Sequence, residues 1–228
     1  MRSAGSVLSI NAAKSVEVPW AGRRGRSAIN KTSVGDSAYI GTCGVDGDEQ
    51  AADIHGGALQ AVYAYAREDI DWWAALLGRD LRNGMFGENI DLQGFDVNNA
   101  ALAEQWQVGD VVLEVSAPRI ACGTFGGWMG EKGWAKRFNG AKRPGAYMRV
   151  VKPGIVRVGD PVRVAWEPET KITISEVVDG ILGDYEILQR VIDFAEDNPQ
   201  WDISAVMPPW REYANFTPRA KTADIRNR

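Results

Sequence analysis

Over the first two thirds of the chain, apolar and polar residues alternate in short runs. Residues 5–10 alternate loosely, and the stretches 39–42, 61–65, 111–115, 147–151 and 162–166 are rich in β-branched and aromatic residues, each bounded by Gly, Pro or Asp. This is the pattern of short, half-buried strands. Two stretches echo each other, "VGDVVLEV" at 108–115 and "VGDPVRVAW" at 158–166, and in both a Gly-Asp turn pair opens a strand. One helix interrupts the strands. In "REDIDWWAALLG" the apolar residues Ile70, Trp73, Ala74 and Leu77 fall at i, i+3, i+4 and i+7, acidic Glu68, Asp69 and Asp71 sit near the start, and Gly78 offers a stop. The Gly- and Trp-rich segment 126–143 suggests a second short helix over 131–138.

The pattern changes after Pro168. Ser175 can cap "EVVDGIL", and Asp184 can cap "YEILQRVIDFAED", whose Ile187, Leu188, Val191, Ile192 and Ala195 form one apolar stripe. Pro208-Pro209 opens a third candidate helix, "WREYANF". The expected organisation is a mainly β unit over 1–168, a three-helix extension over 169–216 and a polar, disordered tail over 217–228. The helical stripes are too short to be buried alone, so they should pack on the β unit or join two copies in a homodimer.

Composition narrows the function. The 228 residues are 45% hydrophobic and 25% charged with a net charge of −4, which is ordinary for a globular protein and argues against nucleic-acid binding. The basic clusters Arg23-Arg24-Gly25-Arg26 and Lys142-Arg143 are short. No stretch approaches the roughly 20 apolar residues that span a membrane, and the N-terminus lacks an apolar signal core. Two cysteines are too few for a disulfide framework, so a reducing, cytoplasmic compartment is expected.

Three stretches could carry chemistry. In "CGTFGGWMGEKGW", Cys122 follows a strand and lies near Arg119, where a guanidinium would favour the nucleophilic, metal-binding thiolate; a half-buried structural thiol is the alternative. "GDEQAADIHGG" holds the single histidine, His55, with Asp53 before it and Gly56-Gly57 after it; the glycines would let the backbone approach a ligand, or the turn is simply a loop. "NGMFGENI" places Glu88 and Asn89 after a glycine turn, and Arg149 is a positive charge on a strand that could clamp a phosphate or face solvent. One histidine and two distant cysteines make a zinc site improbable, and no P-loop, dinucleotide fingerprint or nucleophile elbow is present.

Taken in order, "GDEQ…D-x-HGG", "REDIDWW", "FGEN", "GD-x-x-L-x-VS-x-PR-x-x-C" and "GAYMRVV-x-PG" resemble the MOSC domain, named after the C-terminal domain of molybdenum-cofactor sulfurase, and in particular its bacterial stand-alone, YiiM-like subgroup. The turn reads Ile54-His55-Gly56-Gly57, with one histidine where that subgroup often has two. The resemblance implies a mainly β fold, a β-barrel with a few helices and a cofactor cleft at one end, extended by the three C-terminal helices. It implies a molybdopterin-type molybdenum cofactor, with Cys122 as the catalytic residue and molybdenum ligand. Asp53, His55, Gly56, Gly57, Glu88, Asn89, Arg119 and Arg149 would surround the cofactor. The implied reaction is reduction of N-hydroxylated compounds, with electrons from a separate reductase. The alternative is a sulfur carrier holding a persulfide on Cys122. Pyridoxal phosphate enters only by family association, since Lys132, Lys136 and Lys142 lie in a polar loop and none suits a Schiff base. The aromatic loop 123–134 would stack on a pterin or a flat substrate.

Overall fold

The computed structural model describes residues 5–51, 57–169 and 171–199. Its centre is a closed barrel of seven strands. These are β1 (Gly5–Ala12), β3 (Val62–Ala66), β4 (Ile90–Gln93), β5 (Gln105–Val108), β6 (Val111–Pro118), β7 (Ala146–Lys152) and β9 (Pro161–Trp166), in the spatial order β9-β5-β6-β7-β3-β4-β1, with β1 pairing back to β9. Strands β2 (Ser37–Gly41) and β8 (Gly154–Arg157) form a small separate sheet with Gly44–Val45. Closure removes the unpaired edges that an open sheet would present. All six strand runs expected from the alternation are strands here.

Every barrel pairing is antiparallel except β3 with β4. A parallel pair cannot be joined by a tight turn. The crossover contains helix α1 (Arg67–Leu77), which ends where Gly78 takes a left-handed φ of 63°. Ile70 and Trp73 on its inner face are buried, as their spacing requires.

The two Gly-Asp echoes meet in space. Gly109-Asp110 turns β5 into β6, Gly159-Asp160 leads into β9, and both β6 and β9 pair with β5. Gly109 has φ 54°, and a Cβ there would stand 2.2 Å from the Asp160 carboxylate. The Asp160 carboxylate in turn accepts from the Arg157 amide at 2.7 Å.

Two apolar cores result. The first fills the barrel with Val7, Ile10, Leu92, Trp106, Leu113 and Met148 among others. The second is aromatic and lies outside it, between β3, α1 and two short helices, α2 (Gly123–Met129) and α3 (Trp134–Gly140). Tyr65, Trp73, Phe86, Phe125, Trp134 and Phe138 are each less than 2% exposed there. The sequence pattern gave one helix in this segment; the structure has two, separated by Gly130 and Gly133 at positive φ. Gly127 of α2 lies against the 3₁₀ turn Pro19–Arg24, where a Cβ would meet the Trp20 carbonyl oxygen at 2.3 Å.

Helices α4 (Ile174–Leu182) and α5 (Tyr185–Asp197) follow the barrel and pack on it through Ile174, Val177, Leu188 and Val191. Asp184 caps α5 as expected, accepting from the Glu186 and Ile187 amides. The cap of α4 is Thr173 rather than Ser175. Thr173 and Glu176 form a reciprocal capping box, and the Ser175 hydroxyl donates instead to the Asn98 carbonyl at 3.0 Å. The third candidate helix and the tail lie outside the described residues.

Candidate functional site

A solvent-open cleft with about 690 Å³ of empty space lies at one end of the barrel. Strands β3 and β7 contribute Tyr63 and Tyr147; the segment after β6 contributes Arg119, Cys122 and Phe125; and Lys31, Asp48 and Asn89 come from three loops. Cys122 occupies the N-cap position of α2, is half-buried and is a free thiol. Cys43 is also free and lies exposed in the turn between β2 and Gly44–Val45, so neither cysteine is in a disulfide.

Arg119 is the central cation. Its guanidinium carbon stands 5.0 Å from the Tyr63 ring centre and 4.7 Å from that of Phe125, so the charge is held between two aromatic faces. Nη1 donates to the Tyr147 hydroxyl at 2.9 Å. Nε is buried and has no partner. Burial works against the charge, but Tyr147, Tyr63 and Cys122 around it more than offset this and hold the guanidinium protonated.

Lys31 is a second cation in the cleft wall, 7% exposed, with its ammonium on the Asp48 carboxylate. Burial pulls this lysine below its ordinary range; Asp48 opposes that shift and Arg119 adds to it. Asp48 also accepts from the Ala13 amide at 2.9 Å and from Asn89 Nδ2 at 2.9 Å. Asn89 Oδ1 accepts from the Tyr63 amide at 3.1 Å. Hydrogen bonds therefore fix the wall from Lys31 through Asp48 and Asn89 to strand β3.

The structure thus brings Cys122, Arg119 and Asn89 together. It sets Glu88 behind the wall, fully buried, with Oε2 accepting from the Phe86 amide at 2.8 Å. Glu88 Oε1 and Asp91 Oδ1 are both buried without a partner in the hydrogen-bond network. Burial, followed by the charge of Glu88 and a hydrogen bond with it, pushes the Asp91 carboxyl well above the usual carboxylate range. Arg149 does not line the cleft: it pairs with Glu114 on β6, Nη2 to Oε1 at 2.7 Å. Gly57 is exposed with φ 78°, while Asp53, His55 and Gly56 lie outside the described residues. Gln50 and Ala51 before that segment and Gln60 after it do line the cleft.

Of the aromatic loop 123–134, only Thr124 and Phe125 reach the cleft; Met129 and Trp134 belong to the second core, and Trp128 donates to the Met85 carbonyl at 2.7 Å. Sequence reasoning did not find Lys31, Asp48, Tyr63 or Tyr147. Lys31 stands in the polar run "INKTS" with nothing to mark it as buried. Tyr147 lies within the quoted stretch "GAYMRVV", but the residue singled out there was Arg149, which the structure places away from the cleft.

The chain is thus a closed β-barrel whose mouth combines a free thiol with two cations and aromatic walls. The description "MOSC domain" matches residues 51–163, and the chain is a MOSC-domain protein of the YiiM-like kind. It is 28% identical over 171 residues to the uncharacterized protein YflK of Bacillus subtilis, covering 75% of this chain and 77% of YflK. It is 28% identical over 154 residues to protein YiiM of Escherichia coli, covering 66% of this chain and 68% of YiiM. A Gibberella moniliformis protein named reductase is 32% identical over 155 residues, which is 66% of this chain but 28% of that protein. Among solved structures, YiiM from Geobacillus stearothermophilus has the same fold, with a TM-score of 0.68 at 21% identity over 82% of this chain and 90% of that one. No helix among the described residues is long and apolar enough to cross a membrane.

Proposed function

We propose that the cleft holds a molybdopterin-type molybdenum cofactor and that the protein reduces N-hydroxylated compounds. The observation that carries this reading is the donor set. A thiol, which suits a soft metal, stands beside an arginine whose Nε is buried and unpartnered. Among the described residues no three His, Cys, Asp or Glu side chains cluster as a metal site. A dithiolene-bound metal would ask the cleft for little more than the one thiolate that Cys122 offers.

When bound, such a cofactor supplies two-electron redox chemistry at an N–O bond. The chain's own residues have four tasks. Cys122 Sγ would ligate the metal. Arg119 and Lys31 would hold the anionic phosphate end, Arg119 offering a fixed fork and Lys31 a point charge. The faces of Tyr63 and Phe125 that already grip Arg119 would limit water around it. Asp48 and Asn89 would keep the wall in place. The fungal relative named reductase supports a redox role. Electrons would come from a separate reductase.

Purification of the wild type and Cys122→Ala from a cofactor-competent host supplied with molybdate tests this. The wild type is expected to carry molybdenum and pterin and to reduce hydroxylamines with a chemical electron donor, while Cys122→Ala loses both metal and turnover. A molybdenum-free wild type carrying a persulfide on Cys122 overturns the reading in favour of sulfur transfer.

A further inference from the structure

We propose that Tyr147 is the proton donor of the cleft, its phenol hydrogen passing to the oxygen of a bound N-hydroxylated substrate as the N–O bond breaks. This rests on the functional reading above.

The geometry singles out this hydroxyl. Its oxygen already accepts from Arg119 Nη1 at 2.9 Å, so its own hydrogen must point elsewhere, and no acceptor among the described residues takes it. The other tyrosine of the cleft is committed: Tyr63 donates to the Pro144 carbonyl at 2.7 Å. Burial also pushes the Tyr63 phenol well above its ordinary range, making it a poor acid. Tyr147 is half-buried and lies on the cleft surface with Cys122. Ser27 and Thr124 also line the cleft, but an alcohol is a far weaker acid than a phenol.

Arg119 makes the transfer feasible. Held between two rings, it keeps an N–H on the Tyr147 oxygen before and after the proton leaves. That hydrogen bond from a fixed cation also holds the hydroxyl in one place on the cleft surface.

The step balances as R–NHOH + 2e⁻ + 2H⁺ → R–NH2 + H2O. The N–O bond breaks and one N–H and one O–H bond form. The electrons come from an external low-potential donor. Tyr147 supplies the proton that turns the departing hydroxyl into water, the nitrogen takes the other from solvent, and the phenolate beside Arg119 is reprotonated from solvent.

The test compares wild type, Tyr147→Phe and, as a control, Tyr39→Phe on an exposed strand, all as full-length, molybdenum-loaded protein. Tyr147→Phe keeps the ring and is expected to retain fold and metal content. With phenylhydroxylamine and dithionite-reduced viologen, its kcat should fall about 100-fold or more with a small change in KM. Without reductant, pyridine N-oxide binding followed by tryptophan fluorescence should weaken about five-fold, the worth of one ordinary hydrogen bond. Tyr39→Phe should match the wild type in both. An active wild type with an equally active, equally tight-binding Tyr147→Phe overturns the role of Tyr147 alone. A wild type that holds no molybdenum and reduces no hydroxylamine overturns the functional reading, and this proposal with it.

Discussion

The Lys31 ammonium is joined to the Asp48 carboxylate inside the cleft wall, where both side chains are 8% exposed. Removing one partner of such a pair leaves the other charge buried and uncompensated. Asp48→Asn is expected to lower stability by about 3 kcal/mol or more in urea unfolding at neutral pH, and adding Lys31→Met should recover part of the loss.

The direction of the Lys31 shift fixes a pH signature. Its folded value lies below the ordinary lysine value of 10.5. Between the two, the native chain has released a proton that the unfolded chain still holds, so stability gained from this group rises with pH up to about 10.5 and is flat below the folded value. In Asp48→Asn the counter-charge that raises Lys31 is gone, so the rise should begin at lower pH. A denaturation series across alkaline pH checks this.

Asp91 has the opposite sign. Its folded value is raised above the ordinary 3.8, so above 3.8 the native state keeps a proton that the unfolded state has lost. Stability from this group is full at acid pH and falls as pH rises through the window up to the folded value. Asp91→Asn mimics the protonated form, with an amide still able to face Asn11 and Glu88. It should match the wild type near the acid end and exceed it as pH rises, in thermal melts across that range.

Arg149 offers a separation of roles. Its partner Glu114 has a 6% exposed side chain that also accepts from Gln105 at 2.9 Å. Arg149→Met should cost about 1–2 kcal/mol, between the worth of a surface and a buried pair, and leave molybdenum content unchanged. A loss of metal would return Arg149 to the cofactor-holding set implied by the family resemblance.

Gly127→Ala tests the contact between α2 and the turn beside it. Alanine favours a helix over glycine by about 1 kcal/mol, but its methyl would sit 2.3 Å from the Trp20 carbonyl oxygen. The steric term should win, with a net loss of about 1–2 kcal/mol. Because the Trp20 and Trp128 rings lie 5.5 Å apart, the displacement should also change tryptophan fluorescence.

Strands were legible because their alternation is a local signal: a buried face every second residue shows in five residues, as in β7. Helix α1 was legible for the same reason at a different period. The cap of α4 was misassigned because Thr173 and Ser175 are both good caps, and only the position of Glu176 three residues beyond Thr173 distinguishes them. The cleft was half legible. Cys122 and Arg119 announce themselves as chemistry placed just past a strand. Arg149 looks equally suitable in sequence, yet it pairs with Glu114 across β6 and β7, a contact between residues 35 positions apart. Lys31 and Asp48 are ordinary surface residues in their local context, and only the folding of distant loops onto one barrel end buries them together.

The barrel closes on itself through β1 and β9, and the core inside it is made of side chains from the strands and the packed helices, with Tyr147 of the mouth set against its edge. On the proposed function, filling of the mouth would then be largely separate from folding of the barrel. If the proposed cofactor fills the mouth, a chain made where that cofactor is scarce should still fold, and the amount of folded protein would overstate the number of loaded molecules.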